Sequence, residues 1–417
     1  MRVFKFGGAS VKDAMAVKNV TKVLDITGYS DLLIVVSAMG KTTNALEQIV
    51  DSYLSKNPDL HELLIKLKKY HLNILDGLFK TRQPPVFVKV ENLFVDLETT
   101  LARNKSTRYD YIYDQVVSFG ELISTTIVSE YLNDVGYKNQ WLDARELIKT
   151  DSSYRDAEVN WENTQKRIIE KVNKNNLSIT QGFISSDENN FTTTLGREGS
   201  DYSAGIFAYC LSADSVSIWK DVPGVLNGDP RRFKDTQLLS HVSYSEAIEL
   251  AFYGASVIHP KTIQPLQRKE IPLYVKSFLN PDTEGTSVKK GQPLDPYMPC
   301  YIVKKNQILI SLSSLDFSFI VEDNISEIFS LFHQYHIKVD LIQNSAISFS
   351  VCLDDKFDHF EGLLVKLKAK FKVTYNTNVS LYTIRHFTEK AIQTLEKDKE
   401  ILLKQITRET YQMVAKD

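Results

Sequence analysis

Four groups of residues in this chain have types and spacings suited to meeting a charged ligand. The stretch "FKFGGASV" (residues 4–11) places Lys5 at the end of an apolar run, two residues before Gly7-Gly8. Glycines let the backbone approach a ligand closely, and a following helix turn offers unpaired N–H groups to an anion. The alternative reading is a strand-end lysine that snorkels beside a tight turn. The order is not that of a P-loop, in which the lysine follows the glycines. In "TTTLGREGSDYSAG" (192–205), Arg197, Gly199, Ser200 and Asp201 fall where a loop turns into a helix. The arginine fork suits a carboxylate or phosphate. Asp201 or Ser200 can equally be helix caps. "WKDVPGVLNGDPR" (219–231) puts Asp221, Pro-Gly and Asp-Pro-Arg after a strand, where open α/β sheets bind ligands. "SFGELIS" (118–124) sets Glu121 at the start of an apolar helix, as a first-turn acid or a partner for an amine. His259, before Pro260, reads as structural.

Elements that could position these groups follow from hydrophobic periodicity. "VFKF" (3–6), "DLLIVVSA" (31–38), "SITQGFIS" (178–185), "SVSIWKDVPG" (215–224) and "IPLYVKSF" (271–278) read as strands. Ala14, Val17, Val20 and Leu24 share one helix face, and "SYSEAIELAFYGA" (243–255) carries a capping box, Ser243 with Glu246. Alternating strands and helices predict a mainly parallel sheet with helices on both faces. Residues 41–118 break the alternation as a polar, helical insertion or lid. After "EGTSVKKGQPLDPYMPC" a second unit begins, with strands at 308–314, 339–342, 347–353 and 379–384. Helices with Ile325 to Tyr335 and Phe357 to Phe371 on their apolar faces complete a ferredoxin-like βαββαβ order. The expected division is 1–298 and 299–417, with a helix and a strand pair in the tail.

Charged residues make up 24% and hydrophobic ones 43% of the 417 residues, with a net charge of −2, so nothing in the balance draws the chain to nucleic acid or anionic membrane. The three cysteines, Cys210, Cys300 and Cys352, are far apart in apolar settings. They suit a reducing cytoplasmic setting rather than a disulfide scaffold or zinc site.

Taken together and in order, "KFGGASV", "VVSAMGKTTN", "GE" at 120–121, "TQGF…TTTLGREGSDYSA", "WKDVPGVLNGDPR" and "GASVIHP" resemble the aspartate kinases of the amino-acid kinase superfamily. The C-terminal βαββαβ order, with "IKVDLIQNS", resembles their ACT regulatory domain. The resemblance implies phosphoryl transfer from MgATP to the β-carboxylate of L-aspartate, the first step toward lysine, threonine and methionine. Alternatives are a related kinase for glutamate or an N-acyl amino acid, or an inactive amino-acid sensor. By the same resemblance Lys5 and Asp201 are the catalytic positions. Ser37, Thr43, Glu121, Arg197 and Ser200 are the aspartate-binding ones, Glu121 meeting the ammonium and Arg197 a carboxylate. Gly7, Gly8, Ser10, Lys220, Asp221, Leu226, Arg231, Ser256 and Val257 are the nucleotide-binding ones. Asp340, Asn344 and Ser345 are the candidates for a lysine or threonine effector. The ACT-like unit is expected to form a homodimer or higher oligomer.

The sequence departs from the family pattern at Ala9 and Leu226, and at three charged or polar positions. Glu198 stands for a glycine, Lys220 for a threonine and Ser256 for a lysine. Lys220 is therefore expected either to replace the missing lysine near ATP, or to face solvent or pair with an acid such as Asp221 or Asp229.

Overall fold

The computed structural model describes residues 1–79, 85–255, 258–291, 293–316, 318–356 and 358–416. Ser256, Val257 and Phe357 therefore lie outside the described residues. Two compact units emerge. The first comprises Met1–Val225, Leu238–Ile248 and Val257–Pro296, and the second Leu226–Gln237, Glu249–Ser256 and Tyr297–Asp417.

The first unit opens with β1 (Arg2–Phe6), α1 (Ala14–Thr27) and β2 (Leu32–Val36). Four longer helices follow: α2 (Thr42–Leu54), α3 (Leu60–Leu78), α4 (Pro85–Arg103) and α5 (Tyr109–Asp134). Next come β3 (Gln140–Leu142), α6 (Ala144–Leu147), α7 (Trp161–Lys171), β4 (Leu177–Gln181), β5 (Ile184–Ser186), β6 (Thr192–Thr194), α8 (Gly199–Leu211) and β7 (Ser215–Lys220). The unit continues through β8 (His241–Ser243), the start of α9 (Tyr244–Tyr253), α10 (Pro260–Arg268), β9 (Leu273–Ser277) and β10 (Thr286–Lys289).

Among the described residues these strands form an eight-stranded sheet, ordered β3-β4-β2-β1-β7-β9-β10-β8. Its pairs are parallel except β9 with β10. β2 is buried along its whole length, as an apolar run covered on both faces requires. Phe4, Phe6, Leu32, Ile34 and Trp219 join one apolar cluster with Val17, Val20 and Leu24 of α1. The buried faces of α2 to α5 enter that same cluster, so these four helices share the main core. α8 packs against β1, β2 and β7, toward the side that carries Lys5.

Three local expectations are corrected. "SITQGFIS" is not one strand: β4 ends at Gln181, and β5 pairs with β6 in a separate two-stranded sheet. Gly7-Gly8 does not run directly into α1. A 3₁₀ turn, Gly8–Val11, intervenes, and α1 is capped by Asp13, which accepts from the Ala16 N–H at 2.8 Å. Glu121 does not start a helix but lies in the middle of α5.

The second unit holds β11 (Cys300–Ser313), α11 (Glu322–Gln334), β12 (Lys338–Asn344), β13 (Ser348–Asp354), α12 (Phe360–Lys368), β14 (Lys372–Arg385), α13 (Glu389–Glu396), β15 (Glu400–Ile406) and β16 (Thr410–Lys416). The order β12-β13-β11-β14 is that of the expected βαββαβ unit. β11 and β14 run further than their apolar cores suggested. Cys300–Lys304 pairs with Leu381–Arg385, and β16 and β15 extend the same antiparallel sheet. The tail thus builds a second half onto one six-stranded sheet, with its own cluster around Ile384, Leu395, Tyr411 and Met413.

Candidate active site

Lys5 is 8% exposed at the C-terminal end of β1, and its Nζ lies 2.5 Å from Oδ1 of Asp201. Asp201 sits in the first turn of α8 and is 2% exposed. Its Oδ2 faces Lys220 Nζ, at the end of β7, at 3.5 Å. Neighbouring parallel strands thus aim two ammonium groups at one buried carboxylate. Burial alone would push Asp201 upward, but Lys5 and Lys220 outweigh it and hold the carboxyl below its ordinary value. Lys220 thus pairs with an acid, as one of the expectations had it, and its partners include the buried Asp201.

The capping reading of α8 is also corrected. Its N-cap is Glu198, with φ 53° and no side-chain cap bond, so Ser200 and Asp201 lie in the first turn as buried groups. Glu198 is half-buried. Burial raises its carboxyl, Lys220 opposes that, and its Oε2 is buried with no hydrogen-bond partner. Arg197 is exposed beside it.

The glycine turn lies next to Lys5. A Cβ on Gly8 would come within 2.8 Å of the carbonyl oxygens of Ala38 and Gly40, so only glycine allows this approach. The Gly40 N–H donates to Gly8 O at 3.0 Å, and the Ser37 N–H to Phe6 O at 3.0 Å. Ser10 is buried and donates to Trp219 O at 3.2 Å, tying the turn to β7. Thr43 is half-buried in the first turn of α2.

Glu121 reaches this region from α5. It is 2% exposed and its Oε1 accepts from the Ala38 N–H at 3.3 Å, while Oε2 has no partner. Burial pushes its carboxyl up to about 8, against the pull of the Ala38 bond. Lys5, Gly7, Gly8, Ser10, Ser37, Thr43, Glu121, Arg197, Ser200, Asp201, Lys220 and Asp221 all belong to the first unit. Leu226 and Arg231 belong to the second, where Arg231 is exposed and its guanidinium donates two bonds to Asp229, each 2.9 Å.

Two supporting residues escaped the sequence reading. Asp114, two helical turns before Glu121, is buried and accepts from the N–H groups of Arg155 (3.0 Å) and Thr194 (2.8 Å) and from Thr194 Oγ1 (2.8 Å). Burial pushes its carboxyl up to about 6, with those bonds opposing. It ties α5 to β6, just before the Arg197 turn. The seven-residue spacing from Glu121 was the available signal. His71 is fully buried in α3, with Nδ1 2.9 Å from Leu67 O and Nε2 3.3 Å from Thr42 Oγ1. Desolvation lowers it to about 4, so it is a neutral support for the start of α2. His259 caps α10, with Nδ1 accepting from the Lys261 N–H at 3.2 Å.

In the second unit, Asp340 has a side chain only 2% exposed, and it is already engaged. Lys304 Nζ lies 2.8 Å and Lys338 Nζ 3.2 Å from Oδ1. Asn344 is exposed at the end of β12, and Ser345 closes the β12–β13 turn through the Ser348 hydroxyl at 2.7 Å. All three cysteines are buried thiols outside any disulfide. Among the described residues, no cluster of three or more His, Cys, Asp or Glu could hold a metal, and no helix is long and apolar enough to cross a membrane.

Comparison with known proteins matches residues 1–277 to the amino acid kinase family. The lysine-sensitive aspartokinase 3 of Escherichia coli is 31% identical over 394 residues, covering 92% of this chain and 86% of that protein. The E. coli aspartokinase III structure with aspartate and ADP superposes with a TM-score of 0.84 at 28% identity, covering 100% of this chain and 96% of that one. The same enzyme with lysine and aspartate gives 0.80 at 28% identity, covering 99% and 95%. With a lysine and an aspartate buried together at the C-terminal ends of the parallel strands, and with these relatives, the chain belongs to the amino acid kinase family, in its aspartokinase branch.

Proposed function

We propose that the protein transfers the γ-phosphoryl group of MgATP to the β-carboxylate of L-aspartate, giving 4-phospho-L-aspartate. The observation that carries this reading is the buried Lys5–Asp201–Lys220 chain beside the Gly7-Gly8 turn. A carboxylate nucleophile is ionised at neutral pH and needs no general base. The barrier lies in bringing anions together, so the chemistry rests on positioning and positive charge. Lys5 faces the transferring phosphoryl group, Asp201 holds the two lysines in register, and Lys220 serves the nucleotide phosphates. Mg²⁺ would add neutralising charge on the nucleotide. The donor set fits an ion that arrives with ATP, because Asp201 is committed to lysines while Glu198 Oε2 is buried without a hydrogen bond. Glu121 takes the substrate ammonium and Arg197 a carboxylate, with Ser37, Thr43 and Ser200 lining the same region. The second unit is the regulatory and self-associating part.

A hydroxamate assay for acyl phosphate, with MgATP and aspartate, glutamate or N-acetylglutamate, tests the reading. Activity on aspartate alone is expected. Glu121 disfavours the N-acylated substrate, which has no ammonium to offer it.

Arg197→Lys should raise the KM for aspartate although the charge is kept. An ammonium cannot copy the two parallel bonds of a guanidinium. A change confined to the KM for ATP would move Arg197 to the other substrate.

Lys220→Thr should raise the KM for ATP about ten- to a hundredfold, the equivalent of a charge-assisted contact of roughly 1.5–3 kcal/mol. The KM for aspartate should barely move. An unchanged KM for ATP would leave Lys220 as a counter-ion to Asp201 only.

A further inference from the structure

Asp340 lies where two irregular strands meet. The register of β12 against β13 shifts between Val339 and Leu341, so Asp340 is the extra residue of a bulge. The register of β11 against β14 shifts just after Lys304. Bulges re-aim side chains out of the regular alternation, and here they bring Lys304 and Asp340 together. Lys304 is largely buried, with a side chain 17% exposed, and is held at three points. Its Nζ lies 2.8 Å from Asp340 Oδ1 and 3.4 Å from the Phe252 carbonyl near the end of α9. Its stem runs over Gly254, where a Cβ would sit 2.8 Å from Lys304 Cε. Lys338 approaches the same oxygen from a more exposed position, 59% open to solvent. Asp340 Oδ2 is buried without a hydrogen bond.

We propose that Lys304 is a built-in occupant of the Asp340 site, filling from within the position that a ligand ammonium would take and making the protein insensitive to free lysine. The proposal rests on reading the second unit as effector-binding. The corner already holds two ammonium groups for one carboxylate, so a third meets like charge. A tethered group also acts at an effective concentration on the order of millimolar or more, and Lys304 is further fixed by the Phe252 carbonyl. Free lysine must displace it to reach Oδ1. At Oδ2 it must enter beside both lysines.

The test is calorimetric titration of L-lysine into the full-length protein and its variants. Lys304→Met keeps the stem and removes the charge. Asp340 then retains Lys338, so the carboxylate is not stranded. Lys304→Met is expected to bind lysine at least tenfold more tightly than wild type, and adding Asp340→Asn should abolish the gain. Lys338→Met should give a smaller gain, because that lysine is more exposed. If Lys304→Met does not fold, Lys304→Gln carries the same expectation. Equal lysine affinity in wild type and variant overturns the proposal, as does a gain that survives Asp340→Asn, or no binding by any of them. The hydroxamate assay on the same preparations is independent. Absence of acyl phosphate would sink the kinase reading and leave the calorimetric result standing.

Discussion

Lys5→Ala is expected to lower kcat by roughly a thousandfold, the upper range for removing one preorganised charge from a transition state, while the KM for aspartate changes little. Lys5 is nearly buried and forms an ion pair with Asp201 at 2.5 Å. It is already desolvated and already aimed, so its charge costs no reorganisation when negative charge moves onto the transferring group. Such an interaction is stronger in the transition state than in the ground state, and its loss falls on kcat. The variant should still fold. Lys220 remains 3.5 Å from Asp201, so the buried carboxylate is not left without a counter-ion. Thermal melting and ADP binding should therefore persist, with a moderate fall in Tm. A variant with near-normal kcat would remove Lys5 from the chemistry. One that fails to bind ADP would make its role ground-state binding.

How far the sequence spoke for the structure depended on whether the controlling interaction was local. β2 was legible as a continuous apolar run between turn signals, and β1 and β7 as short stretches rich in Val, Ile, Phe and Trp that end in turn residues. Lys5 was legible because a charge inside such a run requires a partner. That partner lies 196 positions away, and nothing in the spacing names it. Gly120, just before Glu121, is a residue type that disfavours a helix interior. In the fold, a Cβ on Gly120 would lie 3.1 Å from Ala38, Leu46 and Thr42 side-chain atoms, so the glycine serves helix packing and α5 runs straight through it. Asp340 was singled out as an acid awaiting an ammonium. The bulges that bring Lys304 to it depend on pairing among three strands, which no local pattern carries.

The largest pH effect should come from Glu121. Burial holds its carboxyl at about 8, because the fold gives the charged form little beyond the 3.3 Å bond from the Ala38 N–H. At pH 6 to 7 the free protein therefore carries Glu121 mostly protonated, and a substrate ammonium must bind the ionised form. The KM for aspartate should fall about tenfold per pH unit from pH 6 toward 8 and then level. Glu121→Gln cannot ionise, so its KM should be high and flat over the same range, with the KM for ATP little affected. Stability should move in the opposite sense. The native state keeps this proton between about pH 4.5 and 8, where the unfolded chain has lost it. Each unit of rising pH in that window costs the wild type up to about 1.4 kcal/mol from this group, and the loss ends above the folded value. Glu121→Gln removes that slope, so its advantage in Tm over wild type should grow from pH 5 to 8 and then hold constant. Measuring both quantities on one pair of proteins separates the roles. A wild-type KM that does not vary with pH, alongside the expected stability slope, would leave Glu121 a buried acid and place the ammonium elsewhere. A variant with neither effect would mean that the carboxylate is ionised in the free protein, balanced by a cation that this arrangement does not supply.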